Sequence, residues 1–293
     1  MSNPHRWLRV TRALPCSVCG HPDWCMTSPF GDEVICCREE SKLPAPLFDG
    51  WFHSIPPRQR RMPQAVRAKA KPTTPHAVKD FGVELRRCVE AFDARQRMRA
   101  AASLGLSHKV FDAFPVGFNE TLDAMAFPAL QLSSPTAIGI RYRKVAPKPG
   151  ALKWICEPNS TAGLLLPKHR PDHDDMIFAC EGPSDTLAAT QLGLHAVGRW
   201  SCGIDARQID CLKAHAAGLS TPRIVVVGDN DGERRTGARA ADGVAQLVGE
   251  AMPHATIHRL QPPPDIKDVR AWVIAGASRE DVMNAAKEVR RAS

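Results

Sequence analysis

The sequence predicts an α/β protein: a parallel sheet covered by helices in the C-terminal part, preceded by a smaller α+β unit and by an N-terminal ribbon of short strands held by a metal. Three observations carry this reading. From residue 176 onward, apolar runs of strand length alternate with stretches of helical period, as in "MIFAC", "TLAATQLG", "HAVG", "ARQIDCLKAHAA", "RIVVVGDNDG", "GARAADGVAQLVGE" and "ATIHRL". Between residues 125 and 156, "MAFPAL", "AIGIRYRKV" and "LKWIC" read as short strands broken by Pro and Gly. Five of the ten cysteines fall within residues 16 to 37.

Residues 1–55 form the ribbon. "CSVCG" at residues 16–20 is a knuckle in which two thiolates and the N–H groups of a tight turn meet one ion. Cys16 and Cys19 then require a second pair. Cys25 and Cys36 complete four thiolates, enough for a closed tetrahedral Zn2+ site, with Cys37 as a substitute at the far end and His21 as a spare nitrogen ligand. So small a segment holds little core and needs such a staple to fold. The remaining cysteines, Cys88, Cys156, Cys180, Cys202 and Cys211, are scattered and read as packing residues. Trp7, Trp24, Trp51, Phe52 and His53 lie in and beside the ribbon, and one or two of these rings are candidates for stacking on unpaired bases.

Residues 56–78 read as a linker. The stretch "PPRQRRMPQAVRAKAKP" holds six cations, Arg58, Arg60, Arg61, Arg67, Lys69 and Lys71, no acid and four prolines, so it has nothing to pack with. Together with a net charge of +8, it makes a polyanion a plausible partner. No apolar run approaches the roughly 20 residues needed to span a bilayer, and the first residues lack a signal-peptide core, which leads to the expectation of a cytoplasmic protein with no membrane partner.

Residues 79–172 begin with a helical stretch to residue 114 whose apolar stripe is Phe81, Leu85, Val89 and Phe92. In the strands that follow, Arg141 and Arg143 share a face by the two-residue side-chain period, and Lys153 stands beside Trp154. Paired guanidiniums suit phosphates, although an exposed strand face kept soluble by charge explains the same residues.

Residues 173–293 place acids at strand ends. The 176–180 strand delivers Glu181, Gly182 and Pro183 turn the chain, Ser184 is the expected helix cap, and Asp185 falls in the first helical turn. The β-branched run Ile224–Val227 fits a strand buried on both faces and delivers Asp229 and Asp231. Strands running the same way bring Glu181, Asp185, Asp229 and Asp231 to one sheet edge, where ligands of open α/β sheets collect. Asp268, with Asp265 as competitor, is a further candidate. Carboxylates that close require cations, and Mg2+ shared with substrate phosphates is the usual solution.

Glu181-Gly182 with an acid three positions on, a hydrophobic strand ending in Asp229-x-Asp231, and a closing Lys267-Asp268 resemble the Toprim domain shared by bacterial-type primases, topoisomerases and some nucleases. "LGLSHKVFDAFPVGF", "IGIRYRK" and "LKW" are similar to the amino-terminal half of the polymerase core in bacterial and phage primases, and the ribbon stands in the place of their zinc-binding domain. The resemblance implies a Toprim, Rossmann-like parallel sheet, preceded by an α+β primase-core subdomain and a zinc ribbon. It implies a DNA primase, of the kind carried by phages, plasmids or integrated elements, making short RNA primers on single-stranded DNA by two-metal nucleotidyl transfer. Glu181, Asp229 and Asp231 would be the catalytic acids, with Asp185 and Asp268 as supporting ligands of Mg2+ (or Mn2+). Arg141, Arg143 and Lys153 would hold template or nucleotide phosphates. The implied partners are single-stranded DNA, nucleoside triphosphates and a replicative helicase acting in trans. No G-x-x-x-x-G-K-[ST] phosphate loop occurs, so a helicase half is not expected in this chain.

Two rivals keep parts of this reading: a Toprim metal-dependent nuclease, and a non-catalytic accessory protein that grips single-stranded DNA through the ribbon. A topoisomerase needs a nucleophilic tyrosine, and the one tyrosine, Tyr142, falls outside the Toprim segment. An EF-hand loop counted from Asp229 would need Gly and Glu where Arg234 and Ala240 stand.

Overall fold

The computed structural model describes residues 7–28, 31–45, 50–59, 80–131, 134–147, 152–169, 176–230 and 236–288. Asp231 and the linker beyond Gln59 lie outside the described residues. The chain divides into two units, Met1–Val78 and Lys79–Ser293. Among the described residues, no helix is long and apolar enough to cross a membrane.

In the first unit, β1 (Leu8–Arg9), β2 (Met26–Thr27), β3 (Glu33–Cys36), β4 (Pro44–Ala45) and β5 (Gly50–Ser54) form an antiparallel sheet in the order β1-β2-β3-β5-β4. Its core is small: Val10, Val34 and Ile55 pack around Cys16, Cys25 and Cys36.

The second unit starts with two helices where the sequence suggests one helical stretch. Helix α1 (Phe81–Glu90) ends before Phe92, and Asp93 caps α2 (Ala94–Leu104) by accepting from Gln96 N at 2.8 Å. Side-chain capping by Asp competes with helix continuation, which explains the break. The expected stripe is partly wrong as a result: Phe92 is buried, but Val89 is exposed. Strands β6 (Gly117–Asn119), β7 (Ala124–Gln131), β8 (Ser134–Lys144) and β9 (Trp154–Cys156) follow as an antiparallel meander. Tyr142 is fully buried in this sheet and donates its hydroxyl to Glu84 at 3.3 Å, so the chain's one tyrosine is spent on the core.

The parallel sheet contains β10 (Met176–Cys180), β11 (Ala196–Gly198), β12 (Arg223–Val227) and β13 (Thr256–Leu260), with β14 (Lys287–Glu288) antiparallel at the edge, in the order β11-β10-β12-β13-β14. Helices α3 (Pro183–Gln191), α4 (Ala206–Ala216), α5 (Thr236–Ala251), α6 (Val269–Ile274) and α7 (Arg279–Ala285) join the strands or follow them. The β-branched run works as expected. Ile224 and Val226 pack with Ile177, Ala179 and the α4 and α5 residues Leu212, Val244 and Val248, while Val225 and Val227 face Phe178 and α3's Leu187. Two-sided burial therefore fixes the register of β12, because a one-residue slip would exchange the faces. The core on the α3 face of the parallel sheet also contains Leu104, Phe118 and Phe127, so the helices and meander share one interior with the parallel sheet.

The expected Ser184 cap is not formed. Gly182 is the N-cap and Pro183 occupies the first helical position, where its fixed φ fits and its missing N–H is not needed. Of the five scattered cysteines, Cys88, Cys180 and Cys211 are buried, but Cys156 is exposed and Cys202 partly so.

Candidate metal centres and acid site

The four ribbon sulfurs are assembled by two turns. Gly20, at φ 75°, supplies the left-handed residue that lets the "CSVCG" knuckle close, its N–H donating to Cys16 O at 2.9 Å. Cys25 precedes β2, and Cys36 ends β3. The Sγ atoms of Cys16, Cys19, Cys25 and Cys36 all lie within 4.8 Å of one another. The Cys19–Cys25 and Cys25–Cys36 separations are 3.7 and 3.8 Å. A tetrahedron with Zn–S bonds of about 2.3 Å has S···S edges of about 3.8 Å, which the Cys19–Cys25 and Cys25–Cys36 separations match. Backbone N–H groups of Val18 and Glu39 donate to Cys16 and Cys36 Sγ, and Arg38 Nη1 donates to Cys25 Sγ at 3.7 Å. Burial pushes the Cys25 thiol up and Cys36 to about 11, with the charge of Cys16 adding to both, so a bound cation is what makes thiolates tenable here. The open choice among ligands resolves toward Cys25 and Cys36: Cys37 Sγ instead donates to Trp24 O at 3.1 Å, and His21 is not in the cluster.

The acids of the second unit are placed by β10 and β12. These strands are parallel neighbours in the register Phe178↔Val225 and Ala179↔Val226. Continued past the strand ends, that register sets Glu181 level with Gly228, one residue short of Asp229, on strands about 4.8 Å apart. Asp185, in the first turn of α3, is buried, and its Oδ1 accepts from Arg270 N at 3.0 Å. Asp268 caps α6, accepting from Ala271 N at 2.7 Å, while its competitor Asp265 is exposed. Burial raises the Asp185 carboxyl to about 7, the nearby Asp268 and Glu181 add to the shift, and the Arg270 N–H opposes it. Cys180, between the acids, is pushed up by burial and then by Asp185 and Asp229. Glu181, Asp185, Asp229 and Asp268 thus gather at one sheet edge. Among the described residues only the cysteines bring three or more ligand atoms within 4.8 Å of one another, so the described acids form a looser group, with Asp231 outside the description.

Asn230, between the two acids of the motif, has a role the sequence reading missed. Its Nδ2 lies 2.7–2.9 Å from the carbonyls of Pro262, Pro263 and Ile266, its N–H donates to Lys267 O at 2.6 Å, and Gln261 Nε2 bridges Asp229 O and Asn230 Oδ1. The turn that carries Asp229 is therefore clasped to the loop that carries Asp268. Gly237 in α5 permits the same closeness, because a Cβ there would stand 2.6 Å from Asp229 O. Gly237→Ala is expected to destabilise the protein by about 1–3 kcal/mol by forcing that turn outward, measurable as a lowered denaturation midpoint.

The basic residues separate. Arg141 is sandwiched by Trp154 and Trp200, its guanidinium 4.7 and 5.7 Å from the ring centroids, and its Nη1 donates to Trp200 O. Arg143 is 3% exposed, donates to Ser103 Oγ at 3.4 Å, and is lowered to about 10 by burial and by Arg270, against the pull of Asp185. Lys153 is exposed and is lowered by partial burial and then by Arg143, Arg270 and Lys267. Arg143, Lys153, Lys267 and Arg270 therefore form one positive locus beside Asp185 and Asp268. Lys267 is the lysine of the closing Lys267-Asp268 pair, whereas Arg270 was missed because α6 reads as a plain short helix. Neither Arg141 nor Arg143 is the exposed solubilising charge of the bland alternative, and their shared strand face leads to two different environments.

A parallel sheet with acids at two adjacent strand ends, fed by a helix-and-meander subdomain, defines the Toprim-like architecture of primase catalytic cores, here in a chain that also carries a four-cysteine zinc-binding cluster. No protein-family profile matches the chain, and no curated protein matches it. Among solved structures it is similar to the DnaG catalytic core (TM-score 0.51, 16% identity, 70% of this chain and 78% of that one). It is also similar to the DnaG primase catalytic domain bound to ssDNA (TM-score 0.51, 17% identity, 70% of this chain and 81% of that one). At such identities the likeness is one of fold.

Proposed function

We propose that this protein is a DNA primase that joins ribonucleotides on a single-stranded DNA template. The observation that supports the reading best is that Glu181 and Asp229 follow the ends of adjacent parallel strands, with Arg143, Lys153, Lys267 and Arg270 forming a positive locus beside Asp185 and Asp268. The donor set is of hard oxygens, which suits Mg2+ or Mn2+. Glu181, Asp229 and Asp231 would hold the ions, with Asp185 and Asp268 supporting. Ions held by these acids would supply Lewis-acid chemistry, favouring deprotonation of a 3′-hydroxyl and offsetting pyrophosphate charge. The chain's own residues do the rest. Asn230 and Gln261 fix the Asp229 turn, Arg143 and Lys153 attract the triphosphate, and Arg270 holds α6 against Leu104 O at 3.1 Å. Since Lys153 is exposed, Lys153→Ala is expected to raise the nucleotide KM about tenfold with no loss of fold, checked by steady-state primer synthesis.

The ribbon supplies template contact. Trp7 packs on Phe52 with ring centroids 5.8 Å apart, and His53 Nε2 meets Glu39 O at 2.9 Å. Trp24 is 72% exposed and holds φ 65°, a conformation a bulky residue rarely adopts and one that occurs at functional positions. It is the base-stacking candidate. Trp24→Ala should weaken single-stranded DNA binding by about 1–3 kcal/mol, read by fluorescence anisotropy.

The test of the whole reading is incubation of zinc-replete protein with single-stranded templates, labelled ribonucleotides and Mg2+. Short labelled oligomers are the expected product. Shortening of the DNA instead would establish the nuclease, and binding with neither reaction the accessory protein.

A further inference from the structure

Arg199 follows β11 and is fully buried, the largest such side chain among the described residues. A guanidinium withdrawn from water is tolerable only when it is paired and hydrogen-bonded. Its partners come from across the sheet. β11 pairs with β10 in the register Cys180↔Gly198, and the Arg199 N–H donates to Cys180 O at 2.9 Å. The side chain then reaches β12, where Nη2 donates to Val227 O at 2.7 Å, while Nη1 donates to Cys202 O. It thus spans the ends of three strands. The carbonyls it touches on β10 and β12 precede Glu181 by one residue and Asp229 by two. Burial draws its pKa down, and the carboxylates of Glu181 and Asp229 act in the other direction, with Cys180 and Cys202. Guanidinium groups stay protonated in proteins, so Arg199 carries its charge here.

We propose that Arg199 is a resident counter-charge of the acid site, a positioning residue that holds the Glu181 and Asp229 carboxylates together before any divalent ion arrives and sets how tightly such ions bind. The first part stands on the hydrogen bonds that tie the guanidinium to Val227 O and the main chain to Cys180 O, two residues before Asp229 and one before Glu181, and the second rests on the reading of these acids as an ion site. The carboxylates whose charge acts on Arg199 are those of Glu181 and Asp229.

The first test leaves Arg199 in place. In buffer freed of Mg2+, with the zinc retained, Glu181→Gln and Asp229→Asn are each expected to lower the unfolding midpoint by about 3–6 °C, because each leaves the buried guanidinium less compensated. Acids clustered without an internal cation behave oppositely, since neutralising one relieves repulsion. An unchanged or raised midpoint in either variant overturns the proposal. The second test is Mn2+ titration followed by electron paramagnetic resonance. Arg199→Met should bind Mn2+ about fivefold or more tightly through loss of a repelling charge, and Arg199→Lys should stay within about twofold of the parent. Equal or weaker binding by Arg199→Met overturns the proposal, because a purely structural role would loosen the site. Should that variant fail to fold, the two acid variants decide. Neither measurement reads turnover, so failure of primer synthesis is distinguishable from failure here.

Discussion

Asp229→Ala should eliminate primer synthesis, by a factor on the order of 10³ or more, while single-stranded DNA binding stays within about twofold. The two effects separate because template contact is assigned to the ribbon, whereas Asp229 follows the end of β12, next to the β10 end that carries Glu181. The substitution removes a carboxylate and leaves the backbone clasp intact, since Gln261 Nε2 and the Asn230 side chain hold this turn through main-chain and amide groups. Gel-resolved primer synthesis and anisotropy on one preparation check both halves. If binding collapsed together with synthesis, Asp229 would be acting on the fold or on DNA contact and not on the chemistry.

Loss of zinc should unfold the first unit. With so few buried apolar residues around the cysteines, the ion is the main source of its stability, and structural zinc sites contribute on the order of 10 kcal/mol or more. Cys36→Ser is therefore expected to abolish bound zinc, collapse the emission of Trp7, Trp24 and Trp51, and reduce DNA affinity, while the cooperative transition of Lys79–Ser293 survives. Cys37→Ser should retain one zinc per chain, because that thiol faces the Trp24 carbonyl. The sign of the pH effect follows from the thiols. Burial holds Cys36 near 11 without the ion, so binding expels protons, and zinc affinity falls as pH falls. Zinc content by mass spectrometry with circular dichroism reads these outcomes.

Most of the parallel sheet is legible in the chain. Four β-branched residues before Gly228 dictate a strand buried on both faces, and the strand-helix alternation dictates its parallel neighbours. The knuckle at Cys16–Gly20 is equally local, and the geometry settles only which later thiols join it. What could not be read is where long side chains end up. Arg141 and Arg143 have the same pattern and one strand face, yet one stacks between Trp154 and Trp200 while the other is buried against Ser103 of α2. Arg199 and Asn230 look like loop residues. Their partners, at Val227 and at Pro262 to Lys267, are up to 37 positions away and exist only once the strands lie side by side. Val89 fits the helical stripe but is exposed because Asp93 starts a new helix before the stripe is complete.

The central claim is that the carboxylates following β10 and β12 make one divalent-ion site. Mn2+ titration of full-length, zinc-replete protein, followed by electron paramagnetic resonance, tests it most directly. The expected result is a bound ion whose affinity falls at least about tenfold in Glu181→Gln and in Asp229→Asn, with the double variant little worse than either single one. Affinities unchanged by Glu181→Gln, or losses that simply add, would contradict it.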